Sequence, residues 1–149
     1  MASTGRTVSK HVAFILGSQT IVGVKSINGV GLDYDAADVT ALTEAIKNVL
    51  PNQADSTITV VGHLDNTATT GFHTYMAAAN GAITPLMLDI QIGVRSAWDD
   101  GEPQYGITAS TTSGVLVTSY VVNIDSMEGT AVLKVIGSTA PAWGTTAES

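Results

Sequence analysis

The chain has 149 residues, a mass of 15.3 kDa, a net charge of −7 and no cysteine. That length suits one domain with a core of its own. The missing cysteine excludes disulfides, thiolate zinc centres and cysteine nucleophiles, and only 6 lysines and arginines, scattered along the chain, argue against a basic nucleic-acid footprint.

Residues 1–9 are small and polar and read as a flexible N-terminal arm. Residues 10–138 read as a single domain and 139–149 as a C-terminal tail. Arg6 and Lys10 precede HVAFILGSQTIVGV, which superficially resembles a signal peptide. Gly17, Ser18, Gln19 and Thr20 interrupt the apolar run, and no A-x-A site follows. No stretch reaches the ~20 apolar residues of a membrane span. The region instead predicts two strands, His11–Leu16 and Thr20–Ile27, with a turn at Gly17-Ser18-Gln19. Asn28-Gly29 is a tight-turn signal, and a short strand at Leu32–Tyr34 follows.

Asp35–Leu50 predicts a helix. Val39, Leu42, Ile46, Val49 and Leu50 share one helical face, acids sit early, Lys47 sits late, and Pro51-Asn52 stops the pattern. Ser56–Leu64 is a β-branched strand. Phe72, Tyr75, Met76 and Ala79 predict a second, short helix ending at Asn80-Gly81. In Ile83–Arg95, Leu86, Leu88, Ile90, Ile92 and Val94 alternate with Met87, Asp89, Gln91, Gly93 and Arg95, which gives one buried and one wet face. Residues 96–105 form a polar loop. Strands at Gly106–Thr112, Val115–Ile124 and Thr130–Gly137 follow. The fold class is mainly β, a sandwich or barrel with one flanking α-helix and a second short one.

No residue set carries chemistry. His63, Asp65 and His73 match no ligand spacing with a mechanism behind it, and His11 stands alone. There is no G-x-S-x-G elbow and no P-loop, and Gly29-Val30-Gly31 lacks the rest of a dinucleotide fingerprint. Asp99, Asp100 and Glu102 are hard oxygen donors without the spacing of a calcium loop, so they read as a solvated loop. Trp98 and Trp143 lie outside the strands, as an interface anchor or a loop cover does. Aromatic residues make up 5% of the chain, which leaves little for a sugar-stacking cleft. No catalytic, cofactor-binding or metal-binding residue is expected, and the chain reads as a structural protein.

One pattern remains. Asp38-Val39-Thr40 leads into a short amphipathic piece, Ile46 to Pro51, then Asp55, Thr57-Ile58-Thr59, Gly62 and Asp65. With the later strand Gly114–Tyr120, this resembles the major tail proteins of long-tailed bacteriophages (siphophages) over about half the chain. Asn52 stands where that family's pattern has glycine, and His63-Leu64 where it has aromatics.

The resemblance implies a small β-sandwich or barrel of the phage tail-tube type whose copies form hexameric rings. Stacked rings make a hollow tube in the virion tail, assembled in the host cytoplasm. The partners implied are the chain itself, tape-measure and terminator proteins, and genomic DNA that passes without specific binding. A negative wall would not hold phosphate.

Candidate intersubunit contacts are Arg6 and Lys10 on the arm, Asn28, Gly29, Asp33 and Asp35 at the turn, and Trp98, Asp99, Asp100 and Glu102 on the loop. Candidate channel-lining residues are Asp89 and Gln91. The competing readings are a carbohydrate-binding or adhesive β-sandwich and a capsid decoration or head–tail joining protein.

Overall fold

Runs rich in β-branched and alternating residues build two antiparallel sheets around one apolar core. The computed structural model describes residues 3, 5–7 and 9–148, with Ser9 and Asn52 described by backbone alone. A 3-10 turn at Ser9–His11 leads into β1 (Val12–Leu16), β2 (Gln19–Thr20), β3 (Val24–Asn28), β4 (Asp33–Asp38), β5 (Val49–Asp55) and β6 (Thr57–His63). Then come α1 (Phe72–Ala79), β7 (Leu88–Ile92), β8 (Gln104–Ile107), β9 (Gly114–Asn123), β10 (Glu128–Ile136) and β11 (Ala142–Gly144). One sheet has the order β11-β8-β7-β1-β2 and the other β3-β6-β10-β9, while β4 and β5 pair only with each other.

The first sheet supplies Phe14, Leu16, Leu88, Ile90, Tyr105 and Ile107 to the core. The second supplies Ile58, Val60, Val115, Val117, Ala131 and Leu133. Helix α1 adds Phe72 and Met76, one turn apart and both fully buried. Two glycines make room for it. Gly62 and Gly129 are directly opposed in the β6–β10 ladder. A Cβ at Gly62 would lie 2.7 Å from the Phe72 ring, and one at Gly129 would lie 2.6 Å from the Tyr120 ring. Phe72 and Tyr120 meet edge to face at 5.9 Å, and the Tyr120 hydroxyl pairs with His73 Nδ1 at 2.8 Å.

The short helix expected from Phe72 to Ala79 is present. The larger one, expected over Asp35–Leu50, is not: that segment is the β4–β5 hairpin. A short amphipathic helix depends on burying its face, and none of Val39, Leu42, Ile46, Val49 and Leu50 is buried. Side-chain bonds at the tip favour a turn instead. Asp38 Oδ1 accepts from the Thr40 N–H at 3.0 Å, and Thr40 Oγ1 accepts from the Asn48 N–H at 2.6 Å. Pro51 lies inside β5 rather than ending a helix. A strand with a single partner tolerates the missing N–H.

Other boundaries moved. The strand expected from Ile83 begins at Leu88, with Leu86 held in an isolated bridge to Val115. The strand expected at Gly106–Thr112 runs from Gln104 to Ile107. The expected tail contains β11, which pairs with β8. Met1, Ala2, Thr4 and Val8 of the expected arm lie outside the described residues.

If Gly62 is the socket for Phe72, Gly62→Ala should lower stability by about 1–3 kcal/mol through overpacking. Phe72→Ala should lower it by about 3–5 kcal/mol through the cavity left behind. Urea denaturation measures both. An unchanged midpoint for Gly62→Ala would show that the helix is not seated as described.

Candidate assembly surface

The β4–β5 hairpin is the outlying feature of the chain. It has a ladder of its own and hydrogen-bonds to neither sheet through its strands. Its large apolar side chains face solvent: Leu42 is 106% exposed, Ile46 76%, Leu50 56% and Val49 55%, with Tyr34 and Val39 about half exposed. A two-stranded hairpin is marginally stable alone in water. Exposed large apolar side chains in this number are unusual on a single short element. Covering each of these aliphatic side chains is worth about 1.5–3 kcal/mol. Lys47 Nζ stands 3.7 Å from Asp38 Oδ2 at the hairpin's polar edge. The Thr40 N–H, and then its hydroxyl, hold the Asp38 carboxyl below its usual pKa.

Several residues expected at an interface are exposed around the base of this arm. Asn28, Asp33 and Asp35 are open to solvent, as are Arg6 and Lys10. Gly29 has φ +83°, and a Cβ there would lie 2.4 Å from the Thr57 carbonyl, so the turn into the hairpin admits only glycine. Trp143 is 55% exposed and packs against Tyr105 with the rings tilted and their centroids 4.9 Å apart. Beside it, an apolar cleft of about 450 Å³ opens between β1 and β3 of the opposing sheets.

The 93–103 loop differs from its expected role. Glu102 is not a surface acid: it is 1% exposed. Its Oε1 accepts from the N–H groups of Val94 at 3.2 Å and Asp99 at 3.1 Å, and its Oε2 from Ser3 at 2.7 Å. Trp98 is partly buried and donates its indole N–H to the carbonyls of Glu102 and Pro103, both at 3.1 Å. Both side chains therefore brace the loop and the arm from within. Asp100 is exposed and Asp99 partly so.

The channel-lining expectation for Asp89 is also corrected. Asp89 is 1% exposed, because residues near the C-terminus cover the outer face of β7. Gln91 is partly buried and donates to Asp89 Oδ2 at 2.9 Å. Sequence reasoning missed Leu42, Ile46, Val49 and Leu50 as surface residues. Their apolar pattern was visible, but it was read as one face of a helix.

Three N–H donors favour the ionised form of Glu102. The Ser3 N–H lowers its pKa most, with Val94 and Asp99 adding to it against burial and the Asp99 charge. Because the folded pKa is depressed, the stabilisation is present above the unfolded pKa and is lost as pH falls through the folded one. Stability should therefore drop in acid, below about pH 4.5. Glu102→Gln should flatten that part of the curve of denaturation midpoint against pH. An unchanged acid limb would remove Glu102 from the account.

No family model and no curated protein matches the sequence. Solved structures do match. One is from the sheath/tube terminator of an extracellular contractile injection system in its extended state, with a TM-score of 0.68, 12% identity and coverage of 96% of this chain and 99% of that one. The chain has a tail-tube-like β fold. A chain from the tube-terminating cap of the anti-feeding prophage matches with a TM-score of 0.71 and 13% identity, over 98% of this chain and 95% of that one. A chain from the virion of a native gene transfer agent particle matches with a TM-score of 0.62 and 16% identity, over 93% and 99%.

Proposed function

We propose that this chain is a structural subunit of a phage-tail-like tube, assembling with copies of itself into stacked hexameric rings. The observation that carries the reading is the β4–β5 hairpin, a two-stranded arm with exposed leucine, isoleucine and valine and no sheet of its own chain to rest on. Such an arm suits a neighbouring copy. Head-to-tail contacts between identical chains close into rings or grow into filaments. The fold shared with tube-containing particles supports the same reading.

Charge supports it too. Arg6 and Lys10 are exposed on the arm, and Asp33 and Asp35 are exposed at the base of the hairpin. Exposed opposite charges on one chain can set the register of a head-to-tail contact between copies. The open edges β2, β3, β9 and β11 are further surfaces for pairing between copies. The tube would sit in a virion tail or an injection particle, built in the cytoplasm of the producing cell, with tape-measure and terminator proteins as partners. With a net charge of −7, it would pass a nucleic-acid cargo without gripping its phosphates. In this reading the chain is architectural and not an enzyme.

Terminating structures among the matches favour a second reading, a ring that closes the end of a tube. Electron microscopy separates the two, since a tube subunit grows filaments and a terminator stops at one ring.

Purified chain should form rings or tubes in negative stain and sediment well above the monomer mass. Leu42→Asp with Ile46→Asp should leave a folded monomer by circular dichroism and abolish assembly. A wild-type chain that stays monomeric at high concentration, or a double variant that assembles normally, would contradict the proposal.

A further inference from the structure

The apolar cleft of about 450 Å³ beside Trp143 stands open between the two sheets. Phe14, Ile21 and Ile90, all buried, lie at its floor. Val12 and Ile92 line it from the first sheet, and Val24, Ile27 and Val30 from β3 and the residues just after it. These five are only partly buried, so water meets an aliphatic lining. Both walls also carry open strand edges. Strand β3 pairs with β6 alone. Strand β2 pairs with β1 at Ile15 and Leu16, which leaves Val12 and Ala13 without a strand partner on that side.

The β4–β5 hairpin has the complementary form. Leu42 and Ile46 are exposed in the loop at its tip. Val49 and Leu50 are consecutive in β5 and both exposed, so they point to opposite faces of the two-stranded ribbon. A flat surface covers one face of such a ribbon, whereas a cleft with two walls covers both. The outer edges of β4 and β5 are unpaired, so their peptide groups can meet the open edges of the cleft. Charge agrees with shape. The hairpin exposes Asp33, Asp35, Asp38, Glu44 and Asp55 against Lys47. No carboxylate is among the described residues lining the cleft. Its charged member is Lys25, in an exposed pair with Glu128 at 2.9 Å, and exposed Lys10 lies just ahead of β1. Within one chain the two features do not meet, because the tip stays in solvent.

We propose that the hairpin tip of one copy seats in the cleft of the next, with Leu42 and Ile46 covered by Val12, Val24, Ile27 and Ile92. This rests on the proposed function and names the surface that receives the hairpin. Each copy then carries one donor and one acceptor on different parts of the chain. Such a contact is heterologous, and it closes into a ring or runs on as a filament according to its rotation. The acid-rich hairpin is drawn to a mouth that holds lysine and no acid, which disfavours seating against the acidic parts of the surface.

A chain without cysteine allows a directed test. Ser26 is exposed and lines the cleft, so Ser26→Cys leaves the core untouched. Copies carrying Ser26→Cys are mixed with copies carrying Leu42→Cys, allowed to assemble and treated with a short bis-maleimide. The main crosslinked product should join residue 42 of one copy to residue 26 of another, as peptide mapping reads it. Capping Ser26→Cys with a bulky maleimide before assembly should leave a chain that is folded by circular dichroism and no longer assembles. The variant with Leu42→Asp and Ile46→Asp keeps its cleft and lacks a usable tip. Mixed with the capped chain, it should give a one-to-one complex that grows no further. Normal rings or tubes from the capped chain, or assembled particles in which residue 42 does not crosslink to residue 26, would overturn the cleft as the receiving surface and leave the tube reading standing. A wild-type chain that stays monomeric would remove both.

Discussion

Phe72 and Met76 fill the space beside the second sheet, and the two sheets close on each other around them. The β4–β5 hairpin contributes no side chain to that core. Its leucines, isoleucine and valine must stay in water or be covered by another molecule. The chain answers the backbone side of this problem internally, by pairing β4 with β5 so that peptide groups are satisfied. It does not answer the side-chain side. The pairing preserves the shape of the arm and leaves its apolar side chains exposed.

Much of the fold could be read from residue order, for identifiable reasons. Strand β6 and strands β9 and β10 are long, β-branched and bounded by turns, so local propensity and tertiary packing agree. Helix α1 was visible because Phe72 and Met76 are one turn apart and Asn80-Gly81 ends it. The hairpin was misread because an apolar pattern with a 3.6-residue period was taken to mean a helix. The period is real, but the turn bonds of Asp38, Thr40 and Asn48 hold the segment as a hairpin. A pattern of apolar residues says that they need cover, and it does not say that the cover comes from the same chain.

The outer face of β7 shows the opposite error. Alternation correctly separated Leu88, Ile90 and Ile92 from Asp89 and Gln91, and water was assumed on the polar side. The covering segment lies nearly 60 residues further on, out of reach of any local window. Glu102 was missed in the same way. It stands in a run of acids that looks solvated, yet its partners are backbone N–H groups at Ser3, Val94 and Asp99. Whether a carboxylate is exposed depended in both cases on distant chain, which composition and spacing do not encode.

In the proposed function the hairpin is covered by another copy of the chain. The absence of cysteine makes a direct test clean. A single Leu42→Cys substitution at the fully exposed tip can be labelled with a maleimide in the unassembled chain and again in the assembled particle. The account predicts rapid labelling of the free chain and strong protection, by orders of magnitude in rate, after assembly. Equal labelling rates in the two states would contradict it.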